Sequence, residues 1–162
     1  PQPSQRMFES NLHAAFLKFD PAQPIYVESE SSRIGDIQLP ADIWKQIVAA
    51  PMISITTPIA ARASYLLTGY KSLTTDLSDL NKLVAGMTKR HGKERTEIWQ
   101  DLIDAENWQN LAEDLLETHY DPAYDKSIKK HDRAILAEIT QNNCKTKSVE
   151  ATAGEILKLA NS

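Results

Sequence analysis

The chain has 162 residues, 41% of them hydrophobic and 25% charged, the balance of a globular domain with its own core rather than of a disordered or fibrous chain. Its formal net charge of −4 argues against nucleic-acid binding by bulk electrostatics, so any such role falls to local basic patches or to another domain. No apolar run approaches the roughly 18 residues of a membrane span, and a single cysteine, Cys144, excludes an internal disulfide framework and fits a reducing cytoplasm.

Ser4 is placed to cap a helix whose inner face carries Phe8, Leu12, Ala15, Phe16 and Phe19, ending at Asp20-Pro21. Pro24-Ile25-Tyr26-Val27 reads as a short buried strand ending at Glu28, followed by a polar loop from Ser29 to Gly35. Pro40 opens a helix with Ile43, Trp44, Ile47 and Val48 inside. Met52 to Thr56 reads as a second strand, and Thr57-Pro58 starts a helix with Ile59, Ala63, Leu66, Leu67 and Tyr70 inside. This alternation favours a parallel α/β sheet.

From about residue 76 to 120 the pattern changes to consecutive amphipathic helices, predicting an inserted helical subdomain. The first carries Leu77, Leu80, Leu83, Val84 and Met87 and stops at His91-Gly92. The second carries Ile98, Trp99, Leu102 and Ile103, and the third Trp108, Leu111, Ala112, Leu115 and Leu116, with a stop at Asp121-Pro122. Arg133 to Thr140 predicts a returning strand, and Ser148 a last helix with Val149, Ala153, Ile156, Leu157 and Ala160 inside. No linker or repeat divides residues 1–162.

Chemistry is harder to find. His13, His91, His119 and His131 stand far apart in sequence, with no paired-ligand spacing and no CxxC, so no metal site is expected. Neither a GxxxxGK[ST] loop nor a GxSxG elbow occurs, and no catalytic residue or cofactor site is identified in this chain. Three features remain. In Val27 to Gly35, Glu28 or Glu30 could orient a magnesium-bound water and Arg33 grip a phosphate, or the stretch is a solvated loop. Lys89 to Arg95, with Arg90 and Arg95, is a phosphate site or a charged helix end. His119 to Asp125 is a recognition loop or a helix stop packed by two tyrosines. Trp44, Trp99 and Trp108 read as core residues, and Cys144 as an incidental cysteine beside lysines.

Taken in order, these segments resemble the tRNA 2-selenouridine synthases: Gln2-Pro3-Ser4-Gln5 with Phe8-Glu9; Val27 to Gly35, then Leu39-Pro40; Arg62 before Leu66-Leu67 and Tyr70; Arg90-His91-Gly92; and Leu115-Leu116 through Tyr120-Asp121-Pro122-Ala123-Tyr124 to Ser127. The resemblance runs from Gln2 to about Ile139. It implies a bacterial, cytoplasmic transferase joining a rhodanese domain with a catalytic cysteine to a P-loop domain. Such an enzyme geranylates wobble 2-thiouridine of tRNA with geranyl diphosphate and then replaces the S-geranyl group with selenium from selenophosphate. This chain, which opens on Pro1 rather than Met, would begin after the P-loop: an incomplete P-loop-like α/β domain, inactive alone, whose partners are tRNA and the rhodanese and P-loop segments upstream. Cys144 does not match the catalytic cysteine. Ser29 departs from an acidic position of the family pattern, and His119 from a tyrosine. Arg33, Arg62, Arg90 and Arg95 are the phosphate or tRNA candidates. A P-loop small-molecule kinase and a non-enzymatic helical adaptor are the competing readings.

Overall fold

A computed structural model describes residues 2–69 and 77–159, with Ser127 described by its backbone alone; Tyr70 and Ala160, expected on inner helix faces, lie outside them. The chain forms two compact units, residues 1–54 with 124–139 and 152–162, and residues 55–123 with 140–151. The helices expected at 76 to 120 therefore belong to a larger unit that begins at Ile55.

In the first unit, α1 (Gln5–Phe16) starts where expected: the Ser4 hydroxyl accepts from the Met7 amide at 3.3 Å. It ends three residues early and none of its residues is fully buried; Phe16 and Phe19 instead meet edge to face at 5.5 Å. The expected strand at Pro24–Val27 is a correction. No strand forms there, and Ile25, Tyr26 and Val27 are 42–53% exposed. Apolar residues alone do not make a strand: it needs a neighbouring backbone to pair with, and among the described residues none pairs with this segment. The expected loop at 29–35 is also corrected. Its end folds into an antiparallel hairpin of β1 (Arg33–Ile34) and β2 (Ile37–Gln38), turned at Gly35 with φ +61°.

That hairpin is held by two glutamines. Gln2 donates to the Ile34 carbonyl (2.7 Å) and accepts from the Asp36 amide (2.9 Å), while Gln5 donates to the Gln38 carbonyl (2.8 Å) and accepts from the Gln38 amide (2.9 Å). Each side-chain amide supplies one donor and one acceptor, as a strand residue would. Helix α2 (Ala41–Ala49) follows Pro40 and buries Ile47, with Ile43, Trp44 and Val48 half-buried.

Strand β3 (Met52–Thr56) pairs with β4 (Ile135–Thr140), the returning strand. The Met52 amide donates to the Ala134 carbonyl at the start of both strands, and the Gln141 amide to the Thr56 carbonyl at their ends, so the two run parallel. The parallel pair is thus β3 with β4, not β3 with residues 25–27. Helix α8 (Thr146–Leu159) begins two residues before Ser148 and turns Thr152 inward, leaving Val149 and Leu157 46% and 59% exposed, against expectation.

In the second unit, α3 (Ile59–Gly69) follows Thr57-Pro58 and buries Ala63 completely. Helix α4 (Leu77–His91) ends at Gly92, whose φ of +82° only glycine adopts freely, and α5 (Lys93–Asp104) starts immediately after it. Leu80 and Val84 of α4, Trp99 and Ile103 of α5 and Leu111 of α6 (Trp108–Leu115) form the core. Ile98, expected inside, is 42% exposed, because one helical face cannot hold two successive residues 100° apart equally deep. Trp99 is the largest side chain fully buried, while Trp44 and Trp108 are half-buried.

The stop expected at Asp121-Pro122 is not a stop. After α6 the helix widens into a π turn (Leu116–Tyr120) and continues as α7 (Asp121–Lys129). Pro122 is the second residue of α7 and, having no amide hydrogen, leaves the continuous helix one backward bond short immediately after the π turn.

Candidate functional site

The expected site residues separate by what they touch. In the first unit, the Arg33 Nε donates to the Gly35 carbonyl at 2.8 Å, closing the hairpin turn, and Arg33 forms no ion pair among the described residues. It lines an open cavity of about 570 Å³ with Gln5, Glu9, Asp36 and Gln38. Glu28 and Glu30 are exposed, and the Glu30 amide donates to the Glu28 carboxylate in a tight turn. Tyr124 bonds to Glu30; burial first, then that bond and the charges of Glu30 and Glu28, push its phenol up to about 12. Ser29 points elsewhere: its hydroxyl accepts from Arg133 Nη1 at 2.9 Å, while Arg133 Nε reaches the Ala50 carbonyl at 3.2 Å. Arg133, overlooked in the sequence, is therefore what ties this loop down.

In the second unit, Arg62 is not free to grip a ligand. Its two terminal nitrogens bond the two oxygens of Asp121, both at 2.7 Å, and its Nε is buried without a partner among the described residues. The Asp121 bond, set against partial burial, raises its pKa, with the Asp121 and Cys144 charges adding to the shift. Arg95 is likewise paired, its Nη1 lying 2.9 and 3.2 Å from the oxygens of Asp114. Asp114 also accepts from the indole N–H of fully buried Trp99, and its carbonyl accepts from the Thr118 hydroxyl at 2.7 Å. Two of the four expected phosphate-binding arginines thus clamp the two ends of the π turn. Arg90 is exposed in the last turn of α4 and pairs with no carboxylate among the described residues.

What the sequence hid is a meeting of two histidines. His91 Nε2 and His119 Nδ1 lie 2.7 Å apart, although 28 residues separate them. His91 also meets Trp99 edge-on at 5.1 Å, and Tyr120 stands across His119 at 4.9 Å. Partial burial, then the charges of Arg90 and His91, hold the His119 pKa below its usual value. The stretch His119 to Asp125, expected as a recognition loop or helix stop, is instead the end of the π turn, which aims His119 at α4, and the start of α7. No cluster of three or more His, Cys, Asp or Glu residues suited to a metal occurs among the described residues. No described helix is long and apolar enough to cross a membrane.

Comparison with known proteins gives a consistent set of relatives. The profile of the tRNA 2-selenouridine synthase AAA domain matches residues 1–79. A tRNA 2-selenouridine synthase of Shewanella frigidimarina is 34% identical over 84% of this chain and 45% of its own length. Those of Shewanella loihica and Alcanivorax borkumensis are 31% and 28% identical over 83% of this chain and 44% and 45% of theirs. The chain therefore spans less than half the length of the curated relatives it matches. No solved structure matches it.

Proposed function

Because the chain belongs to the tRNA 2-selenouridine synthase family over the stretch it shares with these relatives, we propose that it is the C-terminal part of that enzyme's P-loop-like domain and serves in selenium modification of tRNA. The observation that carries this reading is the agreement of one family's sequence along 84% of the chain, at up to 34% identity. In the reaction so assigned, the sulfur of wobble 2-thiouridine forms a bond to the geranyl carbon as diphosphate departs. The selenium of selenophosphate then bonds to the base carbon as the carbon–sulfur bond breaks and geranylthiol leaves, and water takes the phosphoryl group as phosphate when the Se–P bond breaks. The departing diphosphate gains negative charge, and a guanidinium stabilises it through charge-assisted hydrogen bonds.

Within this chain the unpaired Arg33 and Arg90 are the residues suited to phosphate, while Arg62 and Arg95 hold the fold through carboxylates. Glu28 and Glu30, on the loop tied by Arg133 and Tyr124, are the acidic candidates for holding a hydrated cation. The rhodanese cysteine and the P-loop that the resemblance implies have no counterpart in this sequence, so the proposed reaction calls for a polypeptide that carries them.

The experiment is direct. The 162-residue chain incubated with 2-thiouridine tRNA, geranyl diphosphate and selenophosphate yields neither geranylated nor selenated base by mass spectrometry, whereas a polypeptide extended through the P-loop and rhodanese segments yields both. Turnover by the chain alone, or none by the extended protein, overturns the assignment.

A further inference from the structure

The His91–His119 contact restricts how many protons the pair carries. At 2.7 Å only one hydrogen fits between His91 Nε2 and His119 Nδ1, so one ring donates and the other accepts. In the uncharged pair, the two outer nitrogens, His91 Nδ1 and His119 Nε2, share one hydrogen between them: one is a donor and the other a bare acceptor. Adding one proton makes both outer nitrogens donors, with a single positive charge spread over the pair. A second proton would set two N–H groups head to head and break the contact. The pair is thus a device that takes up one proton and becomes a two-pronged cation.

Its surroundings suit an anion. Arg90 adjoins it and pairs with no carboxylate among the described residues. Of the other charged groups on the elements around it, Arg62 is held by Asp121, Arg95 by Asp114 and Lys93 by Glu97. The same elements also carry Lys89, Glu94, Glu113 and Glu117 and, further along, Asp79, Lys82, Asp101 and Asp104. The geometry is fixed from both ends, since the π turn carrying His119 is clamped by the Arg95–Asp114 and Arg62–Asp121 pairs. Tyr120, 46% exposed, stands across His119 and offers a ring beside the cations. An exposed aromatic ring next to a cationic surface suits an RNA strand, whose bases stack on such rings while its phosphates meet the cations.

We propose that Arg90, His91 and His119 bind a phosphodiester of RNA, and that the histidine pair takes up one proton as it does so. This rests on the tRNA reading above and assigns that partner a contact and a pH dependence. A phosphodiester keeps one charge throughout the range in which histidine titrates, so a pH-dependent affinity here belongs to the protein.

The test is fluorescence anisotropy of a labelled anticodon stem-loop RNA with the 162-residue chain, between about pH 8 and pH 6. The wild-type chain should bind more tightly as pH falls, by up to about tenfold per pH unit for one linked proton. The double variant His91→Gln/His119→Gln, which keeps amides able to hydrogen-bond to each other but has no imidazole left to take up the proton, should bind with an affinity flat in pH, and His91→Asn/His119→Asn should do the same if the first misfolds by circular dichroism. Arg90→Ala should weaken binding at every pH and keep the slope. RNA binding that is tight but flat in the wild-type chain, or a slope retained by the double variant, overturns the proposal and leaves the tRNA reading standing. Absence of RNA binding at every pH overturns both. Inorganic pyrophosphate that competes in the micromolar range with the same pH slope reassigns the site to a free diphosphate and overturns the RNA commitment.

Discussion

Replacing Asp114 by Ala removes the acceptor shared by Trp99 and Arg95, and the two losses are unequal. The Trp99 ring is fully buried, so its N–H has no water to turn to and loses roughly 1–3 kcal/mol when left unmet. The Arg95 side chain is 40% exposed, and its ion pair, screened by water, is worth under about 1 kcal/mol. The sum, roughly 1–4 kcal/mol, corresponds in a chain of this size to a fall in Tm of about 2–16 °C. Arg95→Ala, which leaves the Trp99–Asp114 bond intact, should cost under about 1 kcal/mol, with Asp114→Asn between the two because it keeps an acceptor. Thermal melts of the three variants followed by far-UV circular dichroism give the order directly. If Arg95→Ala destabilises as much as Asp114→Ala, the surface ion pair rather than the buried indole bond carries the network, and the reasoning fails.

Two further outcomes follow from the first unit. The Tyr124 phenol titrates at about 12, above its usual value, so as pH climbs the unfolded chain sheds this proton before the folded one; the stability it contributes is present below about pH 10 and lost as pH rises through 12. Phenolate absorbance should therefore show a late step that Tyr124→Phe abolishes and Glu30→Gln moves to lower pH; a late step surviving in Tyr124→Phe refutes the assignment. Gly35→Ala forces a side chain onto φ +61° and sets its Cβ 2.5 Å from the Gln2 amide nitrogen, so it should cost roughly 1–3 kcal/mol in urea unfolding, mostly from the backbone; an unchanged midpoint would mean the turn relaxes freely.

Local signals were the legible ones. The Ser4 cap, the proline after Thr57, the glycine ending α4 and the inward stripe of Leu80 and Val84 all act within a few residues of chain, and each was found where its chemistry put it. Pro24–Val27 misled because a strand is a property of a pair, and apolar content carries no news of a partner. The π turn escaped because a wide turn leaves the apolar spacing of Leu111, Leu115 and Leu116 almost untouched, while Pro122 imitates a terminus. Among the candidate site residues, the sequence offered four arginines of equal standing. Asp114 and Asp121, distant in sequence from Arg95 and Arg62, separated them once folding brought carboxylate to guanidinium. The histidine pair had no sequence signal at all, since its members stand 28 positions apart with two further helices between them.

The π turn has a consequence for length. An α-helix rotates about 100° with each residue, so one surplus residue rephases everything downstream by that angle. Leu111 and Leu116 turn inward ahead of or at the start of the wide turn, and Asp121, just after it, meets Arg62 of α3. Removing a single residue between Leu116 and Tyr120 would restore a regular helix while swinging Asp121 away from Arg62 and His119 away from His91. In this stretch a one-residue gap is a larger change than most substitutions, and the count of residues between Asp114 and Asp121 is itself part of what the sequence encodes.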